Sequence, residues 1–383
     1  MKAPTKETGS EEGSNHEASP AKFPYLPQEL ITEILLRSHA RSLGRFRCVS
    51  KPFLSLLSDP KFARNHLQND AARSGQRILL LSKNYNLFAV EDFNSIGDGS
   101  EGTRVLTGVK LDYQEIRNNW VEIVGSSNGL VCICLDGKTL LLYNPTTREP
   151  KRVPDLPESL RFKTDKTWFS HGFGFDTVTN DYKVLKFVEG NNNFVYSLRT
   201  DSWRRIRNMP YKNVHFNYTV ELNGAVNWIN ILLGGFQEQV MAFDLQTEEF
   251  RVMSLPDLTE ECDPLYESSA LSTLKGRLCV TRSCFMKHDV MWVMSEYGDE
   301  RSWSKIRISV SYRFMIPVCS TKNDDDVVLL VADWFLVLYN FKCNTWSNLE
   351  ICGLDLGEAL QATTYVESLI SPNLYGTKIF KNP

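Results

Sequence analysis

The sequence predicts a small all-α module followed by an all-β propeller of six blades. Three observations predict it. Apolar residues keep a helical spacing from residue 25 to residue 72 and lose it near residue 77, where short β-type runs parted by turn residues begin. Strand ends recur at Tyr143, Tyr196, Phe243, Val293 and Tyr339, separated by 53, 47, 50 and 46 residues. Glycines repeat with them: Gly129, Gly174, Gly224 and Gly276 are 45, 50 and 52 apart. A period near 50 built of four short strands is that of a propeller blade, whose two apolar faces are hidden only by neighbouring blades.

Each element follows in order. Residues 1–24 are polar, with little apolar content beyond alanine, and cannot offset the entropy of ordering; a disordered tail is expected. In the helical module, 25–72, Leu26, Leu30 and Ile34 fall at i, i+4 and i+8, and Ile31 with Leu35 widens that stripe. Pro27 suits a first helical turn. Leu43, Phe46, Cys48 and Val49 make a second short helix, and Pro52 opens a third with Phe53, Leu54, Leu56 and Leu57. Asp59-Pro60 restarts a fourth, carrying Phe62, His66 and Leu67. So small a core gains from a partner. The module is also basic: counted with Arg73 just beyond it, Arg37, Arg41, Arg45, Arg47, Lys51, Lys61, Arg64 and Arg73 stand against Glu29, Glu33, Asp59 and Asp70, net +4.

The β region spans 77–375, leaving 376–383 as a tail. Its clearest strands are Arg77–Ser82, Leu87–Phe93, Leu130–Leu135, Leu140–Tyr143, Lys183–Val188, Val240–Phe243, Leu278–Thr281, Val327–Val331 and Phe335–Tyr339. Asn128-Gly129, Asp136-Gly137, Asn223-Gly224 and Lys275-Gly276 read as turns. The repeated unit is an aromatic strand end, a Thr/Ser-bearing turn, and an aromatic seven positions on: Tyr196 to Trp203, Phe243 to Phe250, Tyr339 to Trp346. Tyr143 starts a copy with Pro150 at the seventh place, and Trp292-Val293 to Ser302-Trp303 is a degenerate one. The second aromatic is expected between blades. Five copies plus an initial pair give six blades, and Thr363–Ile370 is expected to complete the first blade and close the ring.

The helical segment resembles an F-box. Leu26-Pro27-Gln28-Glu29-Leu30-Ile31-Thr32-Glu33-Ile34-Leu35-Leu36-Arg37 is similar to its first half, and Ser42-Leu43-Gly44-Arg45-Phe46-Arg47-Cys48-Val49-Ser50-Lys51-Pro52-Phe53 to its second. Asp59-Pro60-Lys61-Phe62 and His66-Leu67 resemble its tail. The chain departs from the family pattern at Ser38-His39, where Leu-Pro is usual, and at Phe53, where Trp is usual. The downstream region resembles the plant kelch-like F-box-associated domain through Gly129-Leu130-Val131-Cys132, Tyr143-Asn144-Pro145-Thr146-Thr147, Gly172-Phe173-Gly174-Phe175-Asp176 and Asp181-Tyr182-Lys183-Val184. The resemblance implies an F-box followed by a kelch-like propeller. It implies a partner, a Skp-type adaptor and through it a cullin–RING ubiquitin ligase, with the propeller holding an unidentified protein substrate. Carried onto this sequence, adaptor contact falls on Leu26, Pro27, Leu30, Ile34, Leu35, Leu43, Cys48, Val49 and Phe53. Ile31, Leu36, Phe46 and Leu57 are expected to be internal core, and Arg41, Arg45, Arg47 and Lys51 a solvated face or one that complements an acidic adaptor, not a nucleic-acid helix.

Composition agrees. Lys and Arg number 43 against 46 Asp and Glu, a balance unlike that of a nucleic-acid-packaging protein. No run approaches the roughly 18 apolar residues of a membrane span, so no membrane partner is expected. Met1–Lys22 lacks the apolar stretch of a secretory signal. Nine scattered cysteines suit free thiols in a reducing compartment, so cytoplasm and nucleus are expected. No cofactor, metal or catalytic residue is expected. None of the six histidines lies in a metal-binding spacing, Gly172-Phe173-Gly174 lacks the third glycine of a phosphate loop, and Asp324-Asp325-Asp326 lacks the glycine and glutamate of a calcium loop. Two readings remain: a substrate-recruiting adaptor subunit, or a propeller enzyme or carbohydrate-binding protein with an unrelated helical leader. Candidate recognition loops are Arg161–Phe169, Asn208–Asn217, Thr259–Glu267 and Lys322–Asp326.

Overall fold

The computed structural model describes residues 26–74, 76–90, 104–111, 120–160, 169–188, 192–207, 209, 219–231, 238–256, 268–283, 288–320, 327–333, 335–354 and 359–375. The expected tails, Asp324–Asp326 and nearly all of the four candidate recognition loops lie outside these residues.

Four helices come first, as the apolar spacing predicts: α1 (Gln28–Leu36), α2 (Ala40–Phe46), α3 (Lys51–Leu57) and α4 (Pro60–Ser74). Strands follow: β1 (Gln76–Ser82), β2 (Leu87–Val90), β3 (Arg104–Leu111), β4 (Val121–Ser127), β5 (Leu130–Leu135), β6 (Thr139–Asn144), β7 (Glu149–Arg152), β8 (Phe169–Asp176), β9 (Asp181–Val188), β10 (Asn192–Ser197), β11 (Ser202–Arg205), β12 (Thr219–Leu222), β13 (Ala225–Ile231), β14 (Glu238–Asp244), β15 (Phe250–Ser254), β16 (Ser268–Leu274), β17 (Arg277–Ser283), β18 (His288–Met294), β19 (Trp303–Tyr312), β20 (Met315–Ser320), β21 (Val327–Ala332), β22 (Phe335–Asn340), β23 (Thr345–Cys352) and β24 (Ala359–Val366). No helix among the described residues is long and apolar enough to cross a membrane.

Four antiparallel four-stranded sheets form from β4–β7, β8–β11, β12–β15 and β16–β19. The fifth sheet has eight strands, in the order β20-β21-β22-β23-β3-β2-β1-β24. The expectation of six separate blades is therefore corrected to five sheets. The cause is the parallel pairing of β23 with β3, from Leu349↔Arg104 to Cys352↔Thr107, which fuses two antiparallel runs edge to edge. Closure by a C-terminal strand follows the expectation, but the strand is β24 (Ala359–Val366) and not Thr363–Ile370; it pairs antiparallel with β1, from Gln76↔Val366 to Ser82↔Ala359. The strands β24, β4, β8, β12, β16 and β20 neighbour one another around the axis. Between sheets lie buried aliphatic and aromatic clusters, such as Leu185, Phe187, Trp228 and Phe243.

The aromatics seven apart are cross-strand partners beside one turn, Tyr196↔Trp203, Phe243↔Phe250 and Tyr339↔Trp346. A short polar side chain just after the strand-end aromatic holds several of these turns and the β8–β9 turn; Ser197 Oγ accepts from the Thr200 N–H. Asn144 Oδ1 accepts from the N–H of Thr146 and Thr147, Asp176 from Val178 and Thr179, Asp244 from Gln246 and Thr247, Asn340 from Lys342 and Cys343. Four residues on, the chain turns left-handed, at Arg148 (φ 60°), Asn180 (φ 54°), Glu248 (φ 57°) and Asn344 (φ 55°). The expectation that all second aromatics fill an inter-sheet layer is corrected at Trp346, which is 49% exposed. Trp203 and Trp303 do pack on clusters between sheets, and they tie their strand to the preceding sheet's end, donating from Nε1 to the carbonyls of Pro154 and Ser254.

Candidate functional site

The helical module sorts its apolar residues by side. Pro27 precedes α1 in extended conformation, and α1 buries Leu35 and partly buries Ile31 and Leu36. Leu30 and Ile34 stand in solvent on the same helix, with Leu26 one turn before. His39 stands at the N-cap position of α2 in extended conformation with no side-chain cap bond, and the helix starts at Ala40. Buried His66 of α4 donates from Nε2 to the Ser38 carbonyl at 2.7 Å and pins that corner. Ser50 caps α3, its Oγ accepting from the Phe53 N–H, and Leu57 is buried while Leu54 is exposed.

Six of the nine residues expected at the adaptor are thus exposed: Leu26, Pro27, Leu30, Ile34, Cys48 and Val49. Ile34 is 56% exposed and Val49 67%. Phe53 is half-buried against the core. Leu35 and Leu43 are corrections: both are buried inside the cluster that joins the helices to the propeller, so neither faces outward. Phe46, expected inside, is exposed. Leu54 joins the exposed set; its sequence context gave no sign of which way it points, since one helical stripe serves two faces.

The other side of the module is docked. Leu35, Ala40, Leu43, Leu57, Phe62, Ala63 and Leu67 share one buried cluster with Leu130, Cys132, Leu142, Tyr182, Leu369, Ile370 and Tyr375. Two cations expected to be solvated or to meet the adaptor are instead spent on this seam. Arg41 pairs with Glu367 at 2.8 Å, and Arg47 with Glu149 at 3.1 Å while its Nη2 donates to the Leu57 carbonyl. Arg45 and Lys51 stay exposed.

The propeller axis holds a cavity of about 120 Å³ lined by the inner strands. Its polar groups are Thr219, Ser272, Thr273, Gln361, Thr363 and Thr364; the rest of the lining is aliphatic. Gln361 Oε1 accepts from the Ile123 N–H at 2.8 Å, and the Thr219 hydroxyl donates to the Val124 carbonyl at 2.9 Å. Two carboxyls are pushed by burial up to about 7, Glu122 and Glu221, but both lie between sheets; Glu221 accepts there from the Phe175 N–H. Burial also pushes the Cys134 and Cys279 thiols up to about 12 and the His171 imidazole down to about 3. Among the described residues no cluster of His, Cys, Asp and Glu could hold a metal ion.

A sequence profile of the F-box domain matches residues 23–65, and one of the F-box associated beta propeller domain matches residues 79–370. The chain belongs to the F-box-associated propeller family. Its relatives agree. This F-box chain is 26% identical to F-box protein CPR1 of Arabidopsis thaliana, over 90% of its own length and 88% of that protein's. It is 27% identical to the Arabidopsis F-box/kelch-repeat protein At3g23880, over 91% and 96%. It is 30% identical to the putative Arabidopsis F-box protein At3g16210, over 77% and 76%.

Proposed function

We propose that this F-box chain is a substrate-recruiting subunit of a Skp–cullin–F-box ubiquitin ligase, acting by geometry with no chemistry of its own. The observation that carries the reading is the division of the helical module. One side is consumed in docking to the propeller, and the other leaves Leu26, Leu30, Ile34, Val49 and Leu54 in solvent. Burying such a side chain fully is worth roughly 1.5–3 kcal/mol, and each of these has about half of that still to gain in a groove. The occupant is a Skp-type adaptor, which brings the cullin–RING machinery.

The substrate meets the mouth away from the helices. The helices and residues 367–375 cover the end where Gly129, Glu149 and Asn180 lie. At the opposite end stand exposed Trp120 at the start of β4, Ile231 at the end of β13 and Phe335 at the start of β22. A protein substrate held there has its local concentration at the ligase raised, and nothing more is required. A propeller enzyme or carbohydrate-binding protein needs titratable or aromatic groups converging on the axis; the aliphatic, hydroxyl and amide lining supports the adaptor reading instead. Nucleic acid is no partner in this reading, because Arg41 and Arg47 are already spent on carboxylates. Seven free cysteines among the described residues suit the cytoplasm and nucleus.

Co-expression with a Skp-type adaptor tests the docking. The parent chain should co-purify with it, and Leu30→Asp with Ile34→Asp should not. Affinity purification with the proteasome blocked tests the mouth: proteins retained by the parent chain should be lost with Trp120→Ala and Phe335→Ala. Retention by those variants would place the substrate elsewhere.

A further inference from the structure

The ring is closed once β24 ends at Val366, yet the described chain continues to Tyr375. That continuation lies between the two parts of the molecule and touches both. Glu367 is 1% exposed, with Oε1 2.8 Å from Arg41 Nε on α2 and 3.3 Å from Arg77 Nε on β1. It pairs a cation of the helical module with a cation of the propeller. The next residues bind the same way. Asn144 Nδ2 donates to the carbonyls of Ser368 and Ile370 at 3.0 and 2.7 Å. Arg47 Nη2 reaches the Leu369 carbonyl at 3.4 Å, and the Tyr375 hydroxyl donates to the Asn180 carbonyl at 2.8 Å. Leu369, Ile370 and Tyr375 are buried in the cluster that holds Leu43, Leu57 and Phe62. The fit is close: a Cβ at Gly129 would collide with the Ser368 side chain.

We propose that residues 367–375 are a seat that fixes the helical module on the propeller, with Glu367 as the positioning residue. A buried carboxylate between two guanidinium groups resists sliding, because any displacement strands charge away from water. The spacing between the exposed apolar ridge and the far mouth is then set by this seat, and not by the covalent link from α4 to β1. The consequence for a ligase, a substrate held at one distance from the adaptor, rests on the function proposed above. The seat itself does not, and its test reads the chain alone.

Spin labels on Glu29→Cys in α1 and on Arg301→Cys in the propeller, with the other accessible cysteines replaced by Ser, report the distance between the two parts. Pulsed dipolar spectroscopy on the parent chain should give one narrow peak. Glu367→Gln and Arg41→Met should each lose that peak to a broad distribution, and so should a chain ending at Val366. In the Glu367→Gln chain adaptor affinity should stay within about twofold, which a collapsed helical module could not allow. An unchanged narrow peak in Glu367→Gln and Arg41→Met, or a broad one in the parent, overturns the proposal. So does a chain ending at Val366 that no longer melts as a propeller, since ring and seat would then be one. Loss of adaptor binding by the parent chain would instead strike the proposed function and leave the distances standing.

Discussion

Asn144 and Asn340 hold the same place in two copies of one turn, yet they use different amounts of their amide. Asn340 uses its carbonyl, accepting from the N–H of Lys342 and Cys343 at 2.9 and 3.0 Å. Asn144 accepts likewise from Thr146 and Thr147, and the two hydrogens of its buried Nδ2 are shared among the Ser368 carbonyl, the Ser368 hydroxyl and the Ile370 carbonyl. Asp176 and Asp244 fill the equivalent places elsewhere, so a carboxylate serves the turn itself. Asn340→Asp should therefore be close to neutral. Asn144→Asp deletes both N–H donors and sets a buried carboxylate against three oxygens. At about 1 kcal/mol per lost hydrogen bond the cost is about 2 kcal/mol before repulsion is counted. At about 2.1 cal/mol/K of unfolding entropy per residue, a domain of this size then loses about 3 °C in Tm. Thermal unfolding followed by near-ultraviolet circular dichroism at pH 7 measures it. The deficit should shrink toward acid pH, where the introduced carboxyl, once protonated, can donate a single hydrogen bond. Equal melting of the two variants, or greater damage from Asn340→Asp, would refute the hydrogen-bond assignment.

Other perturbations separate core from surface. Leu43→Ala removes a fully buried side chain and should cost about 2–5 kcal/mol in urea unfolding, whereas Leu30→Ala should cost less than about 0.5 kcal/mol. Deleting Ala359–Pro383 removes β24 from beside β1 and should abolish the propeller's cooperative melt; an unchanged transition would mean that the ring does not need its closing strand. Glu122, pushed by burial up to about 7 from an ordinary value near 4.5, makes stability depend on pH. Its folded-state pKa is raised, so its contribution is full below about 4.5 and is lost as pH rises through about 7. Glu122→Gln should remove that loss, gaining on the parent chain at pH 8 and not at pH 4; equal pH profiles would show Glu122 to be solvated.

Much of the fold was legible because it is local. The stripe Leu26, Leu30, Ile34 and the Asp59-Pro60 restart mark helices within a few residues, and Asn128-Gly129 or Asn223-Gly224 turn with positive φ at both residues. The closing strand was legible because a repeat with an incomplete first copy needs its missing member from the other end. What escaped was non-local. Arg41 and Arg47 looked like a free basic face because their carboxylates, Glu367 and Glu149, lie far along the chain. Leu35 and Leu43 looked like adaptor contacts because an apolar stripe does not say which of two partners it meets. The fusion of two sheets through β23 and β3 depends on parallel pairing between remote segments, which leaves no period in the sequence. The aromatic spacing of the repeat does not reveal that Asn144, Asp176, Asp244 and Asn340 hold their turns, although a short Asx side chain reaches the N–H groups two and three residues on.

The central claim is that the module's outward apolar side is a docking surface independent of its packed side. Titration of a purified Skp-type adaptor against the parent chain, Ile34→Asp and Val49→Asp measures it most directly. The account predicts saturable binding to the parent and at least about a hundredfold loss in each variant, roughly 3 kcal/mol, at unchanged Tm. Undiminished binding by both variants would contradict it.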